Sequence, residues 1–153
     1  MNKDMLKIFR PIAIAVALLP AGVPISALAA APSISIAQLD RQEGHDPTHM
    51  AKGIPRDFPL PASSHHLVAN TTLSLGTVQG VDATIAEHFY HHYFKQAGWD
   101  VLKQAKAPGF IMLTACQKSG EQCVRLSASS PGGMTSTPNQ LRFTFPTRSD
   151  LKR

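Results

Sequence analysis

Cysteine is nearly absent from this chain, with two in 153 residues, and aromatics (7%) and charged residues (16%) are both sparse. So low a charge content excludes a coiled coil, and twelve prolines and ten glycines without a period exclude collagen. There is no C-x-x-C pair and no paired-cysteine zinc spacing, so the usual thiol redox and structural zinc motifs are missing. There is no G-x-S-x-G elbow to present a nucleophilic serine. The ten acidic residues never fall in a run that suggests two catalytic carboxylates. The basic residues are scattered rather than striped among aromatics, which argues against nucleic acid as a partner. No cofactor motif is present, and none is expected.

What is present begins with a leader. Lys3, Lys7 and Arg10 precede an apolar run from Pro11 to Leu19, and Ala27-Leu28-Ala29 offers small side chains at both positions that signal peptidase reads. The expectation is a signal peptide over residues 1–29, which places the protein in the periplasm or outside the cell. The rival is an uncleaved anchor, since residues 11–39 carry no charge, but Pro20 and Pro24 interrupt that run. No stable membrane span is expected after cleavage. Removing the leader's three basic and one acidic residue leaves twelve basic and nine acidic, a net of +3. Such a surplus weakly favours anionic envelope components.

Both cysteines lie in the exported part, where an even count implies a disulfide. Phe110 to Cys116 and Cys123 to Ala128 read as strands around Ser119-Gly120, whose glycine suits the positive φ of a hairpin turn. Centring the hairpin there sets Cys116 opposite Cys123, Ala115 opposite Val124, Leu113 opposite Leu126 and Ile111 opposite Ala128. Those apolar pairs share one face. Phe110, Met112, Thr114, Arg125, Ser127 and Ser129 share the other, the mark of a sheet covered on one side and wet on the other.

Residues 30–52 show little periodicity and read as a flexible lead-in, with a short helix or strand near Ile34 to Leu39. Three prolines hold residues 53–61 extended, with Ile54, Phe58 and Leu60 free to dock. Leu67 to Val78 reads as one or two strands, Leu73 and Leu75 sharing a face. A helix follows, capped by Asp82, or by Thr84 with Glu87 as a capping box, and ended by Gly98. Ile85, Phe89, Tyr93 and Phe94 mark its buried stripe, and Trp99 packs back on Phe94. Strands at Trp99 to Gln104 and Leu141 to Phe145 flank the cysteine hairpin, with a polar loop over 130–140. The expected fold class is α+β, one main helix on an antiparallel sheet of four to five strands in the order strand, helix, hairpin strands. The domain would run over 53–147, with a disordered tail at 148–153. Leu73, Leu75, Ile85, Val101 and Phe145 join Phe89, Phe94, Trp99, Phe143 and the hairpin's apolar face in the expected core.

Phe58-Pro59-Leu60-Pro61, Phe89-Tyr90 and Gly98-Trp99 give the chain a "P-x-P … FY … GW" pattern. Over residues 54–146 it resembles small exported bacterial domains of unknown function. The resemblance implies an α+β fold and export, and carries no catalytic residue or ligand.

All seven histidines follow the leader. His88 and His92 are one helical turn apart, a spacing that lets two imidazoles share a metal. The stripe above puts them on the solvent face without a third ligand, so they are weak candidates and no metal site is assigned. His45-Asp46 lies in the lead-in, where it would lack fixed geometry for catalysis. The expectation is a non-catalytic binding or accessory protein of the bacterial cell envelope. Its candidate partners are an envelope protein or an anionic envelope component. Its usable surfaces are the sheet face near Phe110 and Met112, the 130–140 loop and any free strand edge. The alternatives are an envelope metal-binding protein using the histidine-bearing helix and, second, a small hydrolase.

Overall fold

The structure, a computed structural model, describes residues 31–46, 50, 52–70, 72–133 and 136–153. The leader expected over 1–29 lies outside these residues. Among the described residues no helix is long and apolar enough to cross a membrane.

The chain runs β1 (Ser33–Ser35), α1 (Ile36–Gln42), β2 (Pro59–Pro61), β3 (His65–Asn70), β4 (Leu75–Gln79), α2 (Ala83–Ala97), β5 (Trp99–Ala107), β6 (Phe110–Gln117), β7 (Cys123–Ser129) and β8 (Gln140–Thr144). A 3-10 turn over Asp150–Lys152 follows. Strands β3 to β8 form a six-stranded antiparallel sheet in the order β3-β4-β8-β7-β6-β5, and β1 pairs with β2 in a separate two-stranded ribbon. The α+β class stands. The expected four to five strands are too few, and a second helix joins the first. The reason is topological: α2 carries the chain from β4 across the sheet to the far edge. Hairpins then return it strand by strand until β8 fits between β7 and β4.

The lead-in is built into the domain. Ser35 caps α1 by accepting from the Gln38 N–H, while the Gln38 side chain accepts from the Ser35 N–H, a reciprocal capping box. Ile36 and Leu39 are buried with Ile54, Phe58 and Leu60 in the common core. The prolines of β2 fit because their backbone polar groups face away from β1. The pairing passes through Ile34 and Leu60, and the Pro59 carbonyl accepts instead from the Tyr90 hydroxyl at 3.1 Å.

On α2, Asp82 is the N-cap, accepting from the Ile85 N–H at 2.8 Å, and Gly98 closes the helix at φ 70°. Glu87 is not part of a capping box; it pairs with Lys106 on β5 at 2.7 Å. The buried stripe is Ala83, Ala86, Phe89, Tyr90 and Phe94. It is therefore turned from the expected one. Tyr90 is fully buried, Tyr93 moves to the flank, and Ile85 is 39% exposed. The helix meets two surfaces at once, the sheet beneath and the β1–β2 ribbon beside it, and helical phase alone supplies only one. Phe58 sits where they join, against Tyr90, Tyr93, Trp99 and Phe145 at ring separations of 5.0 to 6.4 Å.

Three more expected core residues lie elsewhere. Leu73 is 64% exposed in the β3–β4 turn, where the Asn70 side chain accepts from the Thr72 and Leu73 N–H groups. Val101 is exposed because β5 is an edge strand with a neighbour on one side only. Leu75 points to the outer sheet face, paired with Thr144.

The cysteine hairpin takes the expected register, and Cys116 and Cys123 are joined directly across it. Its turn spans 118–121, closed by the Gln117 N–H to the Gln122 carbonyl. Gly120 is not at positive φ, and a Cβ there would meet the movable Gln117 side-chain amide. The tail beyond 147 is tied to this turn. The Arg148 N–H donates to the Glu121 carbonyl, and its guanidinium donates to the Gly120 and Gln117 carbonyls.

Candidate binding surface

Strand alternation sorts the large sheet into two faces. Inward lie Val78, Leu141, Phe143, Val124, Leu126, Leu113 and Ile111, under α2 and the ribbon. Outward, cross-strand pairing sets Lys103, Thr114, Arg125, Thr144 and Leu75 in one row, and Ala105, Met112, Ser127, Arg142, Thr77 and Val68 in the next. Both helices are on the inward side, so among the described residues no helix covers the outer face. The tail covers its disulfide end, where the Cys123 N–H donates to the Pro146 carbonyl, and at the other end buried Ser129 donates to the Thr137 carbonyl of the following loop. A shallow hollow of about 270 Å³ lies on this face, bordered by Phe110, Met112, Ser127, Ser129, Gln140 and Arg142.

Among the described residues, the charge left unpaired on this face is positive. Lys103, Arg125 and Arg142 are exposed. The Arg142 Nε donates to Gln140 Oε1, whereas Lys103 and Arg125 have no ion-pair partner among the described residues. The outward carboxylate is Asp100, opposite Cys116, and Lys118 answers it at 3.7 Å. Sequence alone puts Arg125 on the wet side of its hairpin. Arg142 and Lys103 join it only through the pairing of β8 with β7 and of β5 with β6.

The two helix histidines border separate hollows. His88 borders an apolar cleft of about 430 Å³ between α2 and the ribbon, with Pro61, Ile85 and Phe89. His92 borders a neighbouring hollow with Ser33, Pro59, Tyr93 and Gln96. His92 is half-buried rather than on the solvent face, and its Nε2 is enclosed without a hydrogen-bond partner among the described residues. Among the described residues no three His, Cys, Asp or Glu side chains are placed to hold a metal.

His45 does hold fixed geometry, contrary to the expectation for the lead-in. It follows Gly44, which ends α1 at φ 73°, and its N–H returns to the Asp40 carbonyl. Its Nδ1 lies 3.3 Å from Asp40 Oδ1 and 3.9 Å from Glu43 Oε2, and Glu43 Oε2 also accepts from the Leu67 N–H. The adjoining groove of about 520 Å³ is otherwise lined by Gly44, Asp46, Met50, Leu67, Val68 and Ala69, with no Ser, Thr or Cys among these described residues. This constellation clips α1 to β3. The groups with displaced titration are also away from the outer face's cations. Burial raises Tyr90 well above its ordinary value, with Tyr93 adding; burial and then Asp57 raise Tyr93. Asp150, in the tail, is lowered by the hydrogen bonds it accepts from Thr147.

Compared with protein-family models, curated proteins and solved structures, the chain matches none of them.

Proposed function

We propose that this is an exported, non-catalytic binding protein of the bacterial cell envelope, and that the outer sheet face is its binding surface. The observation that carries the reading is that, among the described residues, both helices lie on the other face and none covers this one. A sheet needs one buried face for stability, so the second is available for a ligand. The cross-strand disulfide fits an oxidising compartment outside the cytoplasm, as does the leader-like segment.

The test uses the mature chain beginning at Ala30, sedimented with a washed envelope fraction. Ser127→Trp places a large ring in the middle of the outer face without touching the core. It should lower the bound fraction several-fold and leave the thermal melt unchanged, while His88→Ala should bind as the parent does. Undiminished binding by Ser127→Trp would remove the outer face from the function.

A further inference from the structure

We propose that the outer face takes a linear anionic glycan laid across the strands, with Lys103, Arg125 and Arg142 contacting its acidic groups. This rests on the outer face being the binding surface, and it names the ligand's chemistry.

The cations are spaced for a polymer. Lys103 and Arg125 both pair with Thr114, one from each side, so they stand two strands apart in a single row. Two interstrand steps are roughly 10 Å, about the length of a disaccharide. Arg142 lies diagonally from Arg125, because Arg125 pairs with Thr144 and Ser127 with Arg142. Thr114 itself is buried between the cations, but around them the face offers Ser127, Thr144, Thr77 and Gln140. These hydroxyls and amides both donate and accept, as a sugar's hydroxyls require. From β5 to β4 the face spans roughly 20 Å, so a ligand crossing it meets more than one repeat.

The other occupants fit less well. A peptide adding to an edge is obstructed at both ends of the sheet. β5 is bulged between Val101 and Lys103 and carries Lys103 and Lys106, and β3 is bulged between His65 and Val68, with His66 at φ 53°. A lipid surface is taken by large apolar side chains that insert, but Phe110 and Met112 on this face are half-buried and only Val68, at its margin, is well exposed. Single-stranded nucleic acid wants several stacking aromatics, and the described outer strands supply only Phe110.

The experiment titrates the mature chain with hyaluronate, a linear glycan with a carboxylate on every second sugar. Dextran serves as the neutral glycan, and vesicles of equal parts phosphatidylglycerol and phosphatidylcholine as the anionic lipid. Hyaluronate should bind, dextran should not, and binding should weaken steeply as sodium chloride is raised. Lys103→Gln, Arg125→Gln and Arg142→Gln should each weaken hyaluronate binding about two- to fivefold at low salt. Lys95→Gln, exposed on α2, should leave it unchanged. No hyaluronate binding, equal loss in Lys95→Gln, or tighter binding to the vesicles overturns the proposal. The envelope sedimentation separates the two levels. If Ser127→Trp abolishes envelope binding and the three glutamine variants retain it, the surface stands and the anionic-glycan assignment falls.

Discussion

Tyr90 shows how one side chain joins three parts of the fold. Its ring stacks on Phe58 at 5.8 Å and neighbours Phe94, and its hydroxyl donates to the Pro59 carbonyl. Tyr90→Phe should lose about 1 kcal/mol by deleting that bond. Tyr90→Ala should lose about 3–5 kcal/mol by opening a cavity among rings, read as urea-midpoint shifts. The same burial makes an alkaline prediction. The folded state holds Tyr90 above its ordinary value, so its contribution is fully present below about pH 10. It is lost as pH rises from there towards the folded value, because the unfolded phenol ionises first. Tyr90→Phe should flatten the fall in stability above pH 10; an unchanged slope would contradict the assignment. His92 presents the opposite case, an enclosed Nε2 with no partner among the described residues. Replacing it with Leu removes a desolvated polar atom, so His92→Leu should match or exceed the parent's melting temperature, while His88→Ala should lie within about 0.5 kcal/mol of it. Gly76 pairs with Phe143, whose ring occupies the space a Cβ would need. Gly76→Ala should therefore cost about 1–3 kcal/mol even though its backbone is unstrained.

At the scale of elements, the β6–β7 hairpin is held twice. The disulfide closes it covalently, and Arg148 holds its turn carbonyls from the tail. The covalent loop is short, so replacing both cysteines with Ser should cost about 2 kcal/mol and leave a folded domain. Arg148→Ala should loosen the tail without unfolding the sheet, seen as faster amide exchange at Arg148 and Gln117 with little change in melting temperature. Adding Arg148→Ala to the cysteine variant should cost more than the two separate losses together, since each restraint limits the same turn. This hairpin was legible in advance because its register follows from local alternation and a short turn. Helix α1 was legible in principle: Ser35-Ile36-Ala37-Gln38 carries the capping-box spacing, but the polar run after it obscured the signal. The rotation of α2 was not legible, because Phe58 and the ribbon that claim its second side are distant in sequence.

At the scale of the molecule, the crossover decides what the protein can present. Because α2 and the ribbon lie on one side, the other keeps its hydroxyls and cations in the open. Both sheet edges are bulged, which turns pairing with another sheet away. The protein should therefore remain monomeric at concentrations where an unprotected edge would associate, checked by sedimentation equilibrium. A stable dimer lost on Leu102→Pro would show that β5 pairs after all.

The sequence by itself determined the elements whose signals are local: the capped helix ending at Gly98, the cysteine register, and the alternation that makes one face apolar. These depend on periodicity, turns and caps within a few residues. Tertiary structure decided the insertion of β8 between β4 and β7, the burial of Phe58 and Tyr90, and the gathering of Lys103, Arg125 and Arg142 on the outer surface. Each depends on which distant strands become neighbours. Lys103, Arg125 and Arg142 are 22 and 17 residues apart along the chain, and only the pairing of four strands makes them one surface.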